Sequence, residues 1–146
     1  MSRVVRFLSG EGSDGAGRTL AEVLAFDDAQ LERRHDFIQW LFPLTEPSGA
    51  VPGSPVLTPE DIVAIRADPR AQAALAAGAR RMGEFYARTD AWLAAHDHNH
   101  LRITRILRSL RLLAGDAAAE GFRHDILQRA AGAPINARTL EFWVEA

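Results

Sequence analysis

The run His96-Asp97-His98-Asn99-His100 concentrates the most chemically capable side chains of this 146-residue sequence. Three imidazoles and a carboxylate are good ligands for first-row metals. Alternate spacing would gather them on one face of a strand, whereas on a helix residues i and i+2 point apart. An apolar-periodic helix follows directly. The competing reading is therefore a polar junction in which His98 or Asn99 caps a helix that begins near His100. That reading is preferred, so no metal and no other cofactor is assigned. His96, His98 and His100 stand only as the fallback ligand set.

A fourth imidazole stands in HDFIQWLFPL, residues 35–44. At helical spacing Leu31, His35, Ile38 and Phe42 share one arc, with Leu41 beside it and Trp40 roughly opposite. The pattern predicts a central helix over 28–42, clasped on two sides, with Trp40 in the core. Pro43 should end it, because the residue before proline is pushed out of the α region. A histidine in such a stripe reads first as a core residue whose ring bonds a carbonyl or carboxylate. A sharper reading joins His35 to His98, Asn99 and Arg102 in a polar pocket. Donors predominate in that set, so its ligand would be a small anion.

Other chemistry is thinly represented. Ser9, Ser13, Ser48, Ser54 and Ser109 lie in no nucleophile elbow. There is no cysteine, hence no disulfide, thiolate ligand or thiol nucleophile. The glycine-rich GEGSDGAG (10–17) lacks the Lys-Ser/Thr of a phosphate loop and a clear strand before it. All 17 basic residues are Arg, and Ala occurs 26 times, which suggests a GC-rich, bacterial genome. Arginine is then the default cation, and any one of them is weak evidence for a guanidinium-specific role. The net charge of −2 supplies no field for nucleic acid or anionic lipid, and neither partner is expected.

The elements that must position these residues read as helices. RVVRFL (3–8) is a short strand or helical turn, and residues 1–17 form an N-terminal arm with a glycine-rich loop. A short helix over 18–26 precedes the one over 28–42. Residues 45–57 carry three of the seven prolines and form a surface loop. Thr58 caps the next helix, with Pro59 in its first turn and Asp61 three residues on. Asp68-Pro69 opens a long helix to about Arg88. Residues 101–113 form a strong helix with Ile103, Ile106, Leu107, Leu110 and Leu113 on one face, and Gly115 stops it. Asp116 and Asn136 begin the last two. The expected class is all-α, a single domain over 1–146 with six or seven helices and almost no sheet.

On helix 101–113, Arg102, Arg105, Arg108 and Arg111 recur every third residue and sweep across the polar face. Leu101 and Leu112 lie within that sweep. A neighbouring helix, a partner protein or a second copy of the chain in a homodimer would cover them. Covering them should draw Arg105 inward, toward an Asp or Glu of another helix.

HDFIQWLFPLTEP (35–47) and HNHLRITRILRSL (98–110), with FYARTD (85–90) between them, resemble the signature stretches of the opioid growth factor receptor (OGFr) conserved-region family. The resemblance runs from about Phe7 to the C-terminus. It implies an all-helical fold, in agreement with the periodicity. It would also transfer a receptor role, typified in animals by binding of an enkephalin peptide, and by the same route a membrane location. No stretch approaches the roughly 20 apolar residues that cross a bilayer. The N-terminal apolar run is broken by Arg6, so no signal peptide is expected. The expectation is a soluble, cytoplasmic, non-enzymatic binding domain for a protein or a small anionic ligand. The alternative is an enzyme or a metal- or anion-binding protein that uses His35, His98, Asn99 and Arg102.

Overall fold

The computed structural model describes residues 1–146, and the chain is all-α, with no sheet. The chain gathers into two compact units, Met1–Gly78 and Ala79–Ala146. The boundary falls inside one long helix.

The first unit holds α1 (Arg3–Leu8), α2 (Leu20–Leu24), α3 (Asp28–Arg33), α4 (Ile38–Leu41), α5 (Pro59–Ala67) and the start of α6 (Pro69–Arg88). Helix α1 packs on α4 and α5 and buries Val4, Val5, Phe7 and Leu8. Side-chain caps start four of these helices: Ser2 for α1, Thr19 for α2, Asp27 for α3 and Thr58 for α5. Asp27 and Thr58 form reciprocal capping boxes with Gln30 and Asp61. The surface loop over 45–57 is closed at its base by a Leu44–Val56 bridge and by the Leu57 N–H, which donates to the Leu44 carbonyl at 2.9 Å.

The expected central helix over 28–42 does not form. Helix α3 stops at Arg33, Arg34 takes extended backbone (ψ 135°), and only Ile38–Leu41 resume a helical turn. The reason is the density of the apolar run. All six residues from Phe37 to Phe42 are buried. A continuous helix turns 100° per residue and would aim some of them at solvent. Breaking the helix lets Phe26 meet Phe37 and Phe7 meet Trp40, both edge-to-face. Trp40 is buried, as expected, and Pro43 follows directly after the Phe42 cap. The break and the separate α1 account for nine helices where six or seven were expected.

The second unit holds the rest of α6, then α7 (Asn99–Leu113), α8 (Asp116–Ala130) and α9 (Ala137–Glu145). Helix α7 packs on α8 and α9. Its expected apolar face is buried throughout: Ile103, Ile106, Leu107, Leu110 and Leu113. Gly115 leaves the helix at φ +106°, a conformation open to glycine alone at low cost. The polar face departs from expectation. Leu101 is 78% exposed and Leu112 only half-buried, so neither is covered as foreseen. Arg105 is half-buried, and the deeply buried guanidinium of this helix belongs to Arg102. Arg111 instead spans elements. It donates to Asp116 at 3.0 Å, to Glu120 at 2.8 Å and to the Ala146 carbonyl at 3.1 Å.

Candidate functional site

The head of α7 is built from Asp97 outward. Its Oδ1 accepts the Asn99 backbone N–H and the Asn99 Nδ2, each at 2.9 Å, and its carbonyl accepts the His100 N–H at 3.0 Å. Asp97 therefore caps this helix, not His98 or Asn99. His98 stands at the cap position with helical backbone and makes no capping bond. Its Nδ1 lies 3.7 Å from Asp97 Oδ1, and its side chain is 41% exposed.

Asn99 is buried, and its side chain is shared among three neighbours. Besides the donation to Asp97, its Oδ1 accepts the Tyr86 hydroxyl at 3.1 Å and Arg102 Nη1 at 3.4 Å. His100 is the core histidine of the chain. Its Nε2 lies 2.7 Å from the Trp92 carbonyl, which can only accept, so Nε2 carries the proton. The ring meets Trp143 edge-on at 5.5 Å, and Trp143 Nε1 donates back to the His100 carbonyl at 3.2 Å. Trp92 Nε1 donates to the carbonyls of Tyr86 and Thr89. The Tyr86 hydroxyl, both Trp Nε1 groups and His100 Nε2 thus each have a partner, which keeps their burial from costing stability.

This geometry separates the fallback metal ligands. His96 and His98 face solvent while His100 is sealed, and within this unit no three His, Asp or Glu side chains bring ligand atoms together.

In the first unit His35 is exposed, in the segment between α3 and α4. Its expected place in an apolar stripe fails because the helix that defined the stripe is broken. Its carbonyl accepts Gln39 Nε2 at 3.1 Å. Of the four expected pocket residues, Asn99 and Arg102 meet directly, and His98 joins them through Asp97.

The sequence reading missed a second polar centre, at Asp14. This carboxylate is fully buried. Oδ1 accepts the backbone N–H groups of Ala16 and Arg18 at 2.9 Å each, and Oδ2 accepts Arg18 Nε at 2.8 Å. Arg18 reaches on to Asp36 Oδ1 at 2.8 Å. Burial opposes the Arg18 charge, but Asp36 and Asp14 outweigh it and raise its pKa further. The available signal was an Asp followed by glycines, which favours side-chain bonds to the backbone two and four residues on.

The fold and these centres define an all-α protein whose polar clusters brace helix ends. Residues 18–89 match the sequence profile of the opioid growth factor receptor (OGFr) conserved region. The opioid growth factor receptor of Mus musculus is 36% identical over 98 residues, which covers 55% of this chain and 15% of that protein. That of Rattus norvegicus is 35% identical over 98 residues, covering 55% and 17%. Over residues 18–89, just under half of its length, the chain carries the likeness to the OGFr conserved region. It spans about a sixth of the length of these curated relatives. The profile match takes in HDFIQWLFPLTEP and ends before α7, so family likeness is shown over a shorter span than the sequence reading expected. No solved structure matches the chain. No helix is long and apolar enough to cross a membrane.

Proposed function

We propose that the chain is a non-enzymatic binding domain whose signature residues at the head of α7 hold a scaffold. One observation carries this reading: the Asn99 side chain bonds three internal partners, Asp97, Tyr86 and Arg102. Groups committed in this way brace α6 residues against α7 and are poorly placed to turn over a substrate, which needs polar atoms offered to a reacting centre. The ligand is then a protein or a small anion taken up elsewhere on the surface. The receptor role named for the mouse and rat relatives is compatible with a binding domain.

The test is a two-dimensional NMR titration of the whole chain against a panel of small carboxylates, phosphates and amphipathic peptides. Product formation is followed in the same tubes. Saturable shifts without turnover support the reading. Time-dependent conversion of any panel member overturns it.

One observation favours a second reading, an anion pocket or enzyme that uses His98 with Asn99 and Arg102. His98 is exposed with a carboxylate behind its ring, an arrangement that can orient an imidazole. A His98→Gln variant that loses a panel ligand at unchanged melting temperature would support this second reading over the first.

A further inference from the structure

The glycine-rich loop at 10–17, set aside above as a phosphate loop, lines a cleft of about 420 Å³ in the first unit. Arg3, Arg6, Glu11, Gly12, Ser13 and Thr19 form its walls. Arg3 and Arg6 are three residues apart on α1 and so project from the same face. The loop is drawn against them because the Arg6 carbonyl accepts the N–H groups of Glu11 and Gly12, at 2.9 and 3.1 Å. Gly12 suits that approach: a Cβ there would stand a tight 3.0 Å from the Arg6 Cβ and 3.4 Å from its carbonyl carbon. An antiparallel bridge between Ser13 and Thr19 holds the far wall in register.

The charges in this cleft are not balanced internally. Glu11 is engaged by Arg70 at 3.0 Å. Arg3 is fixed in place, its guanidinium 5.3 Å from the centre of the Trp40 ring and donating to the Asp14 carbonyl at 3.3 Å. Neither Arg3 nor Arg6 forms an ion pair, and the Ser13 hydroxyl makes no hydrogen bond. Arg3 keeps N–H groups beyond the one given to Asp14, and with the Arg6 guanidinium and the Ser13 hydroxyl these are donors left for a ligand, an arrangement suited to a tetrahedral dianion. The volume is in the range of small-ligand sites and exceeds what an inorganic ion fills, so it leaves room for an organic group beyond the anion.

We propose that this cleft binds a small phosphomonoester, with Arg3, Arg6 and Ser13 as the phosphate contacts. The proposal rests on the binding reading above and names a site and ligand class for it. The test titrates the whole chain with inorganic phosphate and with glycerol 3-phosphate at pH 7.5 and low salt, followed by amide NMR shifts. Acetate serves as the monoanionic comparison. Saturable shifts at residues 10–19 are expected, tighter for glycerol 3-phosphate than for inorganic phosphate, and acetate should give none. Arg6→Ala should weaken binding about tenfold or more, the loss typical of one charge-assisted contact. Ser13→Ala should weaken it less, and Arg33→Ala, an exposed arginine on α3, should leave it unchanged. Melting temperatures of the Arg6 and Ser13 variants should stay near that of the parent. Non-saturable shifts, or an affinity that Arg6→Ala does not move, would overturn the cleft. Saturable shifts at other residues that survive Arg6→Ala would overturn the cleft alone, whereas no saturable shift with any panel ligand would count against the binding reading too.

Discussion

Replacing Asn99 by Ala removes three side-chain hydrogen bonds from a residue that is 1% exposed. The bond to the Tyr86 hydroxyl is neutral and contributes about 1 kcal/mol. The bond to Asp97 involves a carboxylate at 2.9 Å and contributes about 1.5–2 kcal/mol. The bond from Arg102 is charged but long, at 3.4 Å, and is counted at about 1 kcal/mol. Alanine returns about 0.5 kcal/mol of helix propensity. The backbone N–H of residue 99 still donates to Asp97, so the cap itself persists. The net loss is about 3 kcal/mol, which in a chain of this length lowers the melting temperature by roughly 6–12 °C. Differential scanning calorimetry at neutral pH measures it. A drop of less than about 2 °C would mean that Asn99 is not bracing the fold, and the scaffold reading of the α7 signature would fail.

Two glycines of α6 should respond in opposite ways to alanine. At Gly83 a Cβ meets nothing within 4 Å, so Gly83→Ala should add close to the full helix-propensity gain of about 1 kcal/mol. At Gly78 a Cβ would stand 3.0–3.1 Å from three atoms of the buried Leu41, and overpacking of about 1–3 kcal/mol should cancel or reverse that gain. Urea midpoints that rise equally in both variants would refute the close approach of Gly78 to Leu41. Acid should weaken the fold partly through Asp61. Burial pushes its carboxyl up, but hydrogen bonds from Thr58 and Ser2 outweigh burial and hold its pKa below the ordinary 3.8. A pKa lowered on folding contributes stability that is present above the unfolded value and lost as pH falls through the folded one. The parent should therefore lose more stability than Asp61→Asn between pH 6 and pH 3, and equal losses in urea titrations would refute this. We further propose that residues 1–146 unfold as one domain, because α6 runs unbroken from Pro69 to Arg88 through the boundary at Gly78. A single calorimetric transition is expected, and two resolved transitions would refute it.

Much of the fold was legible because it is written in local chemistry. Thr58 with Asp61, Pro69, Gly115 and Asn136 each mark a helix end through a cap or a backbone restriction, and each stands where such signals place it. The run from Phe37 to Phe42 was misread for a non-local reason. Its periodicity fits one helix face, yet every residue in it is needed in the core, and only a break in the helix can bury them all. The expectation of a core histidine was sound in kind and attached to the wrong residue. His35 sat on a wheel that does not exist, while His100 is fixed by a Trp92 carbonyl and a Trp143 edge that are eight and 43 residues away. Asp14 was overlooked because its partners are mostly backbone N–H groups, which only the neighbouring turn glycines hint at.

The most direct test of the scaffold at the head of α7 is hydrogen exchange of the Asn99 side-chain amide, read in ¹H–¹⁵N spectra as phosphate and acetate are added. A closed network should give a resolved, slowly exchanging NH₂ pair, protected by burial and by the bond to Asp97, that does not move with either anion. Rapid exchange with water, or a saturable shift of this pair with an anion, would show that Asn99 faces a ligand and would contradict the scaffold.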